Sequence, residues 1–260
     1  MADRIELQFR RAVADLETQT SPHPCTADEV AIFPGATNAI FSVMSCLLDP
    51  GDEVLLPAPY WTTYPESIAL AGGTPVVVPT SPGSGYRATV DQLEAARTPA
   101  TKALVFVSPS NPTGAAYSHD ALEALTEVLL RHPQVWVLTD DIYEHIVFDG
   151  FEFATPAAVE PELAERTLTM NGVSKAYAMT GWRLGYIIAP REFVRPIQKL
   201  QQNFFISANS AVQRAGLAAL LPVGLPLLIL FAVMGSSGMV SHFHVDHELY
   251  AGTNPRSTIP

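Results

Sequence analysis

The segment NGVSKAYAMTGWRLGY, residues 171–186, carries the most informative spacing of charged and small residues in this chain of 260 residues. Lys175 directly follows a serine, and Arg183 lies eight residues further on, bracketed by Gly181 and Gly185. Glycines permit a close approach of the backbone, and the apolar run that follows is typical of a buried strand. The segment therefore predicts that an amine and a guanidinium lie beside the start of a buried strand.

Three further segments carry small, polar or acidic residues that suit a ligand site. They are GATNA at 35–39, SPSNPTG at 108–114 and TDDIYE at 139–144. Each of the three follows a short apolar run that predicts a strand. A ligand of a parallel sheet binds at the carboxyl ends of the strands, so this placement indicates one shared site.

From residue 30 to about residue 220, short apolar runs alternate with longer amphipathic segments. The predicted strands are 30–33, 53–57, 74–80, 102–108, 135–139, 166–170 and 184–189. The predicted helices between them run to residue 48 and cover 63–71, 89–97 and 118–132, with Thr89 and Ser118 as N-caps of the last two. This alternation predicts an α/β fold with a mostly parallel sheet that helices cover on both faces.

Composition excludes some classes of protein. The formal net charge of −11 argues against nonspecific nucleic-acid binding, which needs clustered Lys and Arg. Cys25 and Cys46 give no disulfide framework, which favours a reducing, cytoplasmic compartment. Residues 1–17 are charged and helix-like, and they lack the apolar core of a secretory signal.

The tail of the chain differs from the rest. Residues 215–242 contain no Lys, Arg, Asp or Glu, and residues 221–235 are strongly apolar. The run is long enough for a membrane span. Pro222 and Pro226 weaken it as a helix and no basic cluster flanks it, so a membrane span is the less favoured interpretation.

A second feature of the tail is the segment SHFHVDHE at 241–248. His242, His244, Asp246 and His247 have the H-x-H-x-D-H spacing of metallo-β-lactamase-like hydrolases, and these side chains suit zinc. Only 13 residues follow His247, so the other ligands of that fold have no place downstream. We therefore assign no metal site.

Together the four motifs resemble the core of the pyridoxal-phosphate (PLP) aminotransferases of fold type I, in the class I/II branch that contains bacterial-type aspartate aminotransferases. The resemblance covers roughly residues 25–220 and implies the seven-stranded large domain of these PLP-dependent transferases. It divides the chain into a partial N-terminal helix (1–24), a PLP-binding large domain (25–220) and a divergent apolar, irregular tail (221–260). The family's N-terminal segment and its small C-terminal domain have no recognisable counterpart.

The resemblance implies catalytic roles for three residues. Lys175 would hold the cofactor covalently and shuttle a proton, and Asp140 would face the pyridine nitrogen. The hydroxyl of Tyr143, in the D-x-x-Y pattern, would contact the ring hydroxyl. The side chain of Asp141 would point to the opposite side of the strand from Asp140 and have only a structural role. Partial burial would favour the neutral amine of Lys175.

Further residues would hold the cofactor. Arg183 suits the phosphate through its planar fork of donors, and the start of the GATNA helix suits it through free amides. Trp61 would stack on the ring or belong to the core, and Tyr60 and Tyr64 would either contribute or simply pack. The complete implied set is Ala36, Thr37, Trp61, Asn111, Asp140, Tyr143, Ser174, Lys175 and Arg183.

The implied activity is transfer of an amino group between an amino acid and a 2-oxo acid by a PLP-dependent homodimer. Arg256 is the only arginine after Arg214, and its surroundings do not resemble the family's substrate-binding motif. Two alternatives therefore stay open. One is a PLP-dependent lyase of the same fold, and the other is a non-catalytic remnant that binds only PLP or a partner.

Overall fold

The computed structural model describes residues 2–20 and 24–220, which form one mixed sheet with helices packed on it. The helices are α1 Ala2–Thr20, α2 Ala36–Leu47, α3 Thr63–Leu70, α4 Val90–Ala96, α5 His119–Arg131, α6 Pro156–Val159, α7 Arg191–Phe204 and α8 Ser210–Leu220. The strands are β1 Val30–Phe33, β2 Glu53–Pro57, β3 Thr74–Val78, β4 Thr101–Val107, β5 Trp136–Asp140, β6 Thr167–Gly172 and β7 Gly185–Ile188.

The sheet has seven strands in the order β1-β7-β6-β5-β4-β2-β3. Strands β2 to β6 pair in parallel, whereas β7 runs antiparallel to both of its neighbours, β1 and β6. The predicted α/β fold with a mostly parallel, seven-stranded sheet is therefore confirmed. The sequence did not predict the reversal of β7, because an apolar run has no direction.

Continuous apolar runs form the central strands because both of their faces are covered. On one face, α2, α3 and α7 bury a core that includes Val43, Leu56, Ile68 and Ile197. On the other face, α4 and α5 cover a second core around Leu122. The order of layers is helix, sheet, helix, as expected for parallel strands linked by crossover helices.

Both predicted N-caps are confirmed. Thr89 Oγ1 accepts a hydrogen bond from Gln92 N at 3.3 Å, and the Gln92 side chain accepts one from Thr89 N at 2.9 Å. Ser118 Oγ accepts from Ala121 N at 3.4 Å. These side chains satisfy amides that the first helical turn leaves unbonded, and they fix where α4 and α5 begin.

The alternation of apolar runs did not predict α7 and α8. Helix α7 contains Pro196, a residue that normally argues against a helix interior. Helix α8 has the sequence SAVQRAGLAAL, in which small residues give only a weak apolar stripe. Both helices form because they pack on the rest of the chain rather than from propensity alone.

The predictions for the tail, which include a membrane span and the residues His242, His244, Asp246 and His247, concern the part of the chain outside the described residues. Within 2–20 and 24–220, no helix combines the length and the apolar character that a bilayer crossing requires. Cys25 and Cys46 are both free thiols.

Helix α1 packs on the sheet and on α8. Phe9 is fully buried, and its ring meets the ring of Tyr186 edge to face with centroids 6.3 Å apart. A Cβ built on Gly216 of α8 would lie 2.9 Å from Phe9 Cε2. Val13 belongs to the same core cluster as Phe9 and Tyr186. Helix α1, which lies in the segment 1–24 predicted as a partial N-terminal helix, thus shares a core with the sheet.

We expect Phe9→Ala to lower the free energy of unfolding of the whole unit by about 3–5 kcal/mol, because it removes a buried ring and leaves a cavity beside Gly216. Urea unfolding followed by circular dichroism measures this loss. The control is Arg11→Ala on the exposed face of α1, which should change stability by less than about 0.5 kcal/mol. A loss below about 1 kcal/mol for Phe9→Ala would show that α1 is not integral to the fold.

Candidate active site

The candidate site lies where several strands end together. The carboxyl ends of β4 and β5 are paired at Val107 and Asp140, and β6 ends at Gly172. Gly172 pairs with Gly185 at the amino end of the reversed strand β7, and Gly185 also pairs with Phe33 at the end of β1. We call this line of strand ends the site edge. Segments that leave it meet above the sheet.

The predicted motifs all begin at the site edge. Residues 35–39 follow β1, residues 108–114 follow β4, residues 173–175 follow β6, and Arg183 precedes β7. The TDDIYE motif begins with the last two residues of β5 and continues into the loop beyond it. The topology therefore brings to one place four segments that are widely separated in the sequence.

Lys175, Asp140 and Tyr143 share one part of the site edge. Lys175 Nζ lies 5.5 Å from the centroid of the Tyr143 ring. Burial raises the pKa of Asp140 to about 6, and the positive charge of Lys175 acts in the opposite direction. The side chain of Lys175 is exposed, so the partial burial expected from the sequence is wrong. The residue lies on the loop beyond β6, past the last strand residue that the helices cover.

The carboxylate of Asp140 is held by two donors. Its Oδ2 accepts a hydrogen bond from the hydroxyl of Tyr64 at 2.5 Å, and its Oδ1 accepts one from Ile142 N at 3.3 Å. Both bonds stabilise the charged form and thus oppose the effect of burial on the pKa of Asp140. The sequence had left Tyr64 between a site role and simple packing. No local signal in the sequence shows that its hydroxyl meets a residue 76 positions away.

The amino end of α2 forms a second part of the site edge. The carbonyl of Gly35 accepts from the two amides that follow Thr37, while helix geometry leaves the amides of Ala36 and Thr37 without an intrahelical acceptor. The guanidinium of Arg183 lies alongside, since a Cβ built on Gly35 would be 2.6 Å from Arg183 Nη2. Free amides, a helix dipole and a guanidinium together suit a multiply charged anion such as a phosphate group.

Two backbone features keep Arg183 beside α2. Gly185 allows β7 to approach the helix, because a Cβ built on it would lie 2.7 Å from Ala36 N and 2.9 Å from Gly35 C. Arg183 itself has a left-handed backbone with φ of 53°, and its Nη1 donates to the carbonyl of Thr180 at 2.9 Å. A non-glycine residue in this conformation is uncommon and is enriched at functional sites.

The remaining predicted residues also lie along the site edge. Asn111 is half-buried in the loop after β4, which is closed by a 2.7 Å hydrogen bond from Gly114 N to the carbonyl of Ser110. Ser174 is buried next to the exposed Lys175.

The indole of Trp61 has two kinds of neighbour. It meets Tyr64 edge to face, with ring centroids 5.7 Å apart and an interplanar angle of 89°, and it is half-buried against the core cluster under α2 and α3. The indole thus contacts the core and also contacts Tyr64, whose hydroxyl donates to Asp140.

Asp141 belongs to a different environment from Asp140. Burial raises the pKa of Asp141 well above its ordinary value, and the charges of Glu144 and Glu17 add to the effect. Burial also raises the pKa values of Glu144 and Glu17 to about 7 each. We call Glu17, Asp141 and Glu144 the acidic cluster. The sequence gave Asp141 a structural role and gave Glu144 none.

Glu144 has a hydrogen-bond donor and a further close neighbour. Its Oε1 accepts a hydrogen bond from Asn171 Nδ2 at 2.7 Å, and His145 Nε2 lies 3.4 Å from the same oxygen. Burial lowers the pKa of His145, which favours its neutral form. Asn171 Oδ1 also accepts from Gly172 N at 2.7 Å. Asn171 therefore links the acidic cluster to the end of β6, just before the loop that carries Lys175.

The chain matches the family model described as aminotransferase class I and II over residues 3–225. It is 49% identical over 213 residues to the aspartate/prephenate aminotransferase of Cereibacter sphaeroides, covering 82% of this chain and 53% of that protein. It is 52% identical over 193 residues to the aspartate aminotransferase of Rhizobium meliloti, covering 74% and 47%. The chain thus spans about half the length of these relatives.

Solved structures show the same likeness. The crystal structure of the aspartate aminotransferase from Rhizobium meliloti superposes with a TM-score of 0.84 and 44% identity, covering 88% of this chain and 57% of that one. The Thermus thermophilus aspartate aminotransferase with maleate gives a TM-score of 0.81 and 37% identity, covering 89% and 59%. The family predicted from the four motifs is confirmed.

We expect Gly185→Ala to destabilise the fold by about 1–3 kcal/mol, because the added methyl group meets the backbone of Gly35 and Ala36, which cannot move aside without shifting α2. Urea unfolding measures the change. Gly181→Ala, on the same segment, is the control: nothing lies within 4 Å of its added Cβ, and stability should hardly change. Equal effects of the two substitutions would contradict the close packing of β7 on α2.

The acidic cluster predicts that stability falls as the pH rises. Burial raises the pKa of Glu144 from its ordinary value of 4.5 to about 7 in the folded chain. Between these values the folded state binds more protons than the unfolded state, so the stabilising contribution is complete below about pH 4.5 and is lost through about pH 7. Glu17 and Asp141 act in the same direction.

We expect Glu144→Gln to flatten this pH dependence, because glutamine keeps an oxygen for Asn171 and carries no charge. Urea unfolding at pH 5 and pH 8 gives the slope, and the difference between the slopes should correspond to at most about 3 kcal/mol. Glu152→Gln, at an exposed position, is the matched control. If wild type and Glu144→Gln lose stability equally between these pH values, Glu144 does not titrate as described.

Proposed function

Because this chain belongs to the aminotransferase class I and II family, we propose that it binds pyridoxal 5'-phosphate at the site edge and moves an amino group between an amino acid and a 2-oxo acid. The observation that carries the proposal is the convergence of Lys175, Asp140 and Arg183 on one edge of the sheet. Asp140 ends β5, whereas Lys175 and Arg183 lie between β6 and β7, and the fold brings these two segments together.

The residues at the site edge fit this cofactor in three respects. An amine, Lys175, is available for its aldehyde, and a buried carboxylate, Asp140, is available for its pyridine nitrogen. The amides of Ala36 and Thr37 and the guanidinium of Arg183 form the cradle that its phosphate requires. The lack of a side chain at Gly35 leaves room for the guanidinium in this cradle.

When bound, the cofactor supplies an electron-withdrawing ring that weakens the bonds at the substrate α-carbon, and the protein supplies its orientation and electrostatics. Asp140 would hold a proton on the pyridine nitrogen. A carboxylate whose pKa is about 6 is ionised at neutral pH and can play this part. The donors on both of its oxygens fix its direction.

Lys175 would have two tasks. Its amine would hold the cofactor covalently until a substrate amine displaces it. The released Nζ would then remove the proton from the substrate α-carbon as a general base and return it later as an acid. Its exposed position on the loop beyond β6 gives Nζ the freedom to move between these tasks, and Nζ lies 5.5 Å from the centroid of the Tyr143 ring.

The other residues would position the reactants. Tyr143 would contact the ring hydroxyl, Asn111 would contact that hydroxyl and the substrate carboxylate, and Trp61 would stack on the ring. Ser174 would contribute beside Lys175. The position of each residue on the site edge supports these roles.

We further propose that the amino donor is an acidic amino acid such as aspartate. The support is the sequence similarity to relatives that are aspartate and aspartate/prephenate aminotransferases. We also propose a homodimer in the cytoplasm, where the free thiols of Cys25 and Cys46 would stay reduced.

The proposal predicts a covalent link between Lys175 and PLP. Reduction of the PLP-treated protein with borohydride should fix the cofactor on the peptide that contains Lys175, and mass spectrometry should locate it there. Lys175→Ala should abolish the label, whereas Lys199→Ala, at an exposed lysine of α7, should leave it unchanged. Labelling that persists in Lys175→Ala would refute the assignment.

PLP-treated protein that has not been reduced with borohydride tests the reaction. With aspartate as sole donor, aminotransfer should convert the donor to its 2-oxo acid and leave the amino group on the cofactor, which ion-exchange chromatography separates from PLP. Release of ammonia from the donor would instead indicate a lyase. Binding of PLP without either product would indicate a protein that holds the cofactor without turnover.

A further inference from the structure

Tyr64 is a buried polar residue whose role the sequence left open. Its side chain lies on α3 and is 1% exposed. Its hydroxyl donates to Oδ2 of Asp140, the last residue of β5, at 2.5 Å. A hydroxyl buried to this degree is expensive to place without a partner, and here its partner is the carboxylate at the centre of the candidate site.

The bond to Tyr64 determines how the carboxylate of Asp140 is oriented. One oxygen accepts from Tyr64 and the other accepts from the backbone of Ile142. A carboxylate held through both oxygens by donors on separate elements cannot rotate freely about its Cβ–Cγ bond. Without the Tyr64 hydroxyl, Oδ2 would lose its buried donor, and the remaining 3.3 Å bond to Ile142 would not fix the plane of the group.

The ring of Tyr64 also supports Trp61. The two rings meet edge to face at 5.7 Å and 89°, and Tyr64 N donates to the carbonyl of Trp61 at 3.1 Å. The indole is half-buried, so part of its surface is available beyond this contact. One side chain therefore touches both the acidic group and the aromatic plate of the candidate site.

We propose that Tyr64 is a positioning residue, whose hydroxyl orients the carboxylate of Asp140 and whose ring sets the orientation of Trp61. That Asp140 would face the pyridine nitrogen of PLP, and Trp61 its ring, rests on the proposed function. The contacts of Tyr64 do not depend on it.

The chemistry of the pair supports this role. Burial, followed by the charge and hydrogen bond of Asp140, raises the pKa of Tyr64 well above its ordinary value, so the phenol stays neutral and remains a donor. A donor on Oδ2 favours the ionised carboxylate and offsets part of the effect of burial on Asp140. An ionised Asp140 is the form that can hold a proton on a pyridine nitrogen.

Other charged groups near Asp140 act in known directions. Lys175 faces it from the loop beyond β6 and favours ionisation. Asp141, its chain neighbour, belongs to the acidic cluster, and the charge of Asp140 raises the pKa of Asp141. Ile142 contributes a backbone donor. Loss of the Tyr64 donor therefore leaves the effect of burial on the pKa of Asp140 opposed by Lys175 and one long amide bond.

The test is Tyr64→Phe, which removes the hydroxyl and keeps the ring. In the full chain without added PLP, carbon-13 NMR of the Asp140 carboxyl should show its titration midpoint rise by about one pH unit, the effect of losing one hydrogen bond to a charged group. Tyr86→Phe, at an exposed tyrosine, is the matched control, because the described donors to Asp140 are Tyr64 and Ile142. An unchanged midpoint in Tyr64→Phe overturns the proposal.

A second readout is PLP affinity, followed by quenching of tryptophan fluorescence. We expect Tyr64→Phe to weaken binding about 10-fold and Tyr86→Phe to leave it unchanged. Equal affinity of wild type and Tyr64→Phe overturns the positioning role. If the wild type itself does not bind PLP, the proposed function fails, and the NMR titration still decides whether Tyr64 controls Asp140.

A double-mutant cycle tests the coupling between Tyr64 and Asp140 even if Tyr64→Phe alone destabilises the fold. Tyr64→Phe should cost stability in the wild type and should cost little in an Asp140→Ala background, where the acceptor is absent. Recovery of folding in the double variant supports the coupling. The same loss of stability in both backgrounds overturns it, because Tyr64 would then act only through packing.

Discussion

The reversal of β7 is the constraint on which the candidate site depends. Because β7 runs against its neighbours, its first residue, Gly185, pairs with the last residues of both β1 and β6. The loop before β7 therefore arrives at the same edge as the loops that leave the parallel strands. This brings Arg183 onto the first turn of α2, and the missing side chain of Gly185 makes the contact close enough. A parallel β7 would place the guanidinium at the opposite end of the sheet.

Two neighbouring aspartates illustrate how one strand end serves two environments. Side chains alternate across a strand, so Asp140 and Asp141 point to opposite faces. Asp140 meets a phenol, an amide and a lysine, and its charge is supported. Asp141 meets the carboxyls of Glu17 and Glu144, which disfavour its charge. Both carboxyls are buried, but the surroundings of Asp140 favour its ionised form, whereas those of Asp141 favour its protonated form.

Much of this arrangement could be predicted from the sequence, because the relevant signals are local. Apolar runs identified the seven strands, and Thr89 and Ser118 identified two helix starts from residues three positions apart. Lys175, Asp140 and Arg183 were found because each lies next to a strand end in a recognisable motif. These signals require no knowledge of which segments meet.

The features that were missed depend on long-range contacts. Tyr64 reads as an ordinary helical aromatic until the fold sets it against Asp140, and Glu17 reads as a surface charge until α1 docks near Glu144. The direction of β7 follows from its pairing partners, which its own residues do not specify. The exposure of Lys175 likewise depends on how far the loop extends past β6.

The packing of Phe9 on Gly216 has a consequence for the order in which the molecule folds. These two residues are more than 200 positions apart, so α1 is synthesised long before the helix that covers it. Closing so large a chain segment carries a substantial entropic penalty, and contacts of this kind form late. We therefore expect the apolar face of α1 to stay uncovered until α8 has been synthesised, and an uncovered apolar face favours aggregation of the nascent chain.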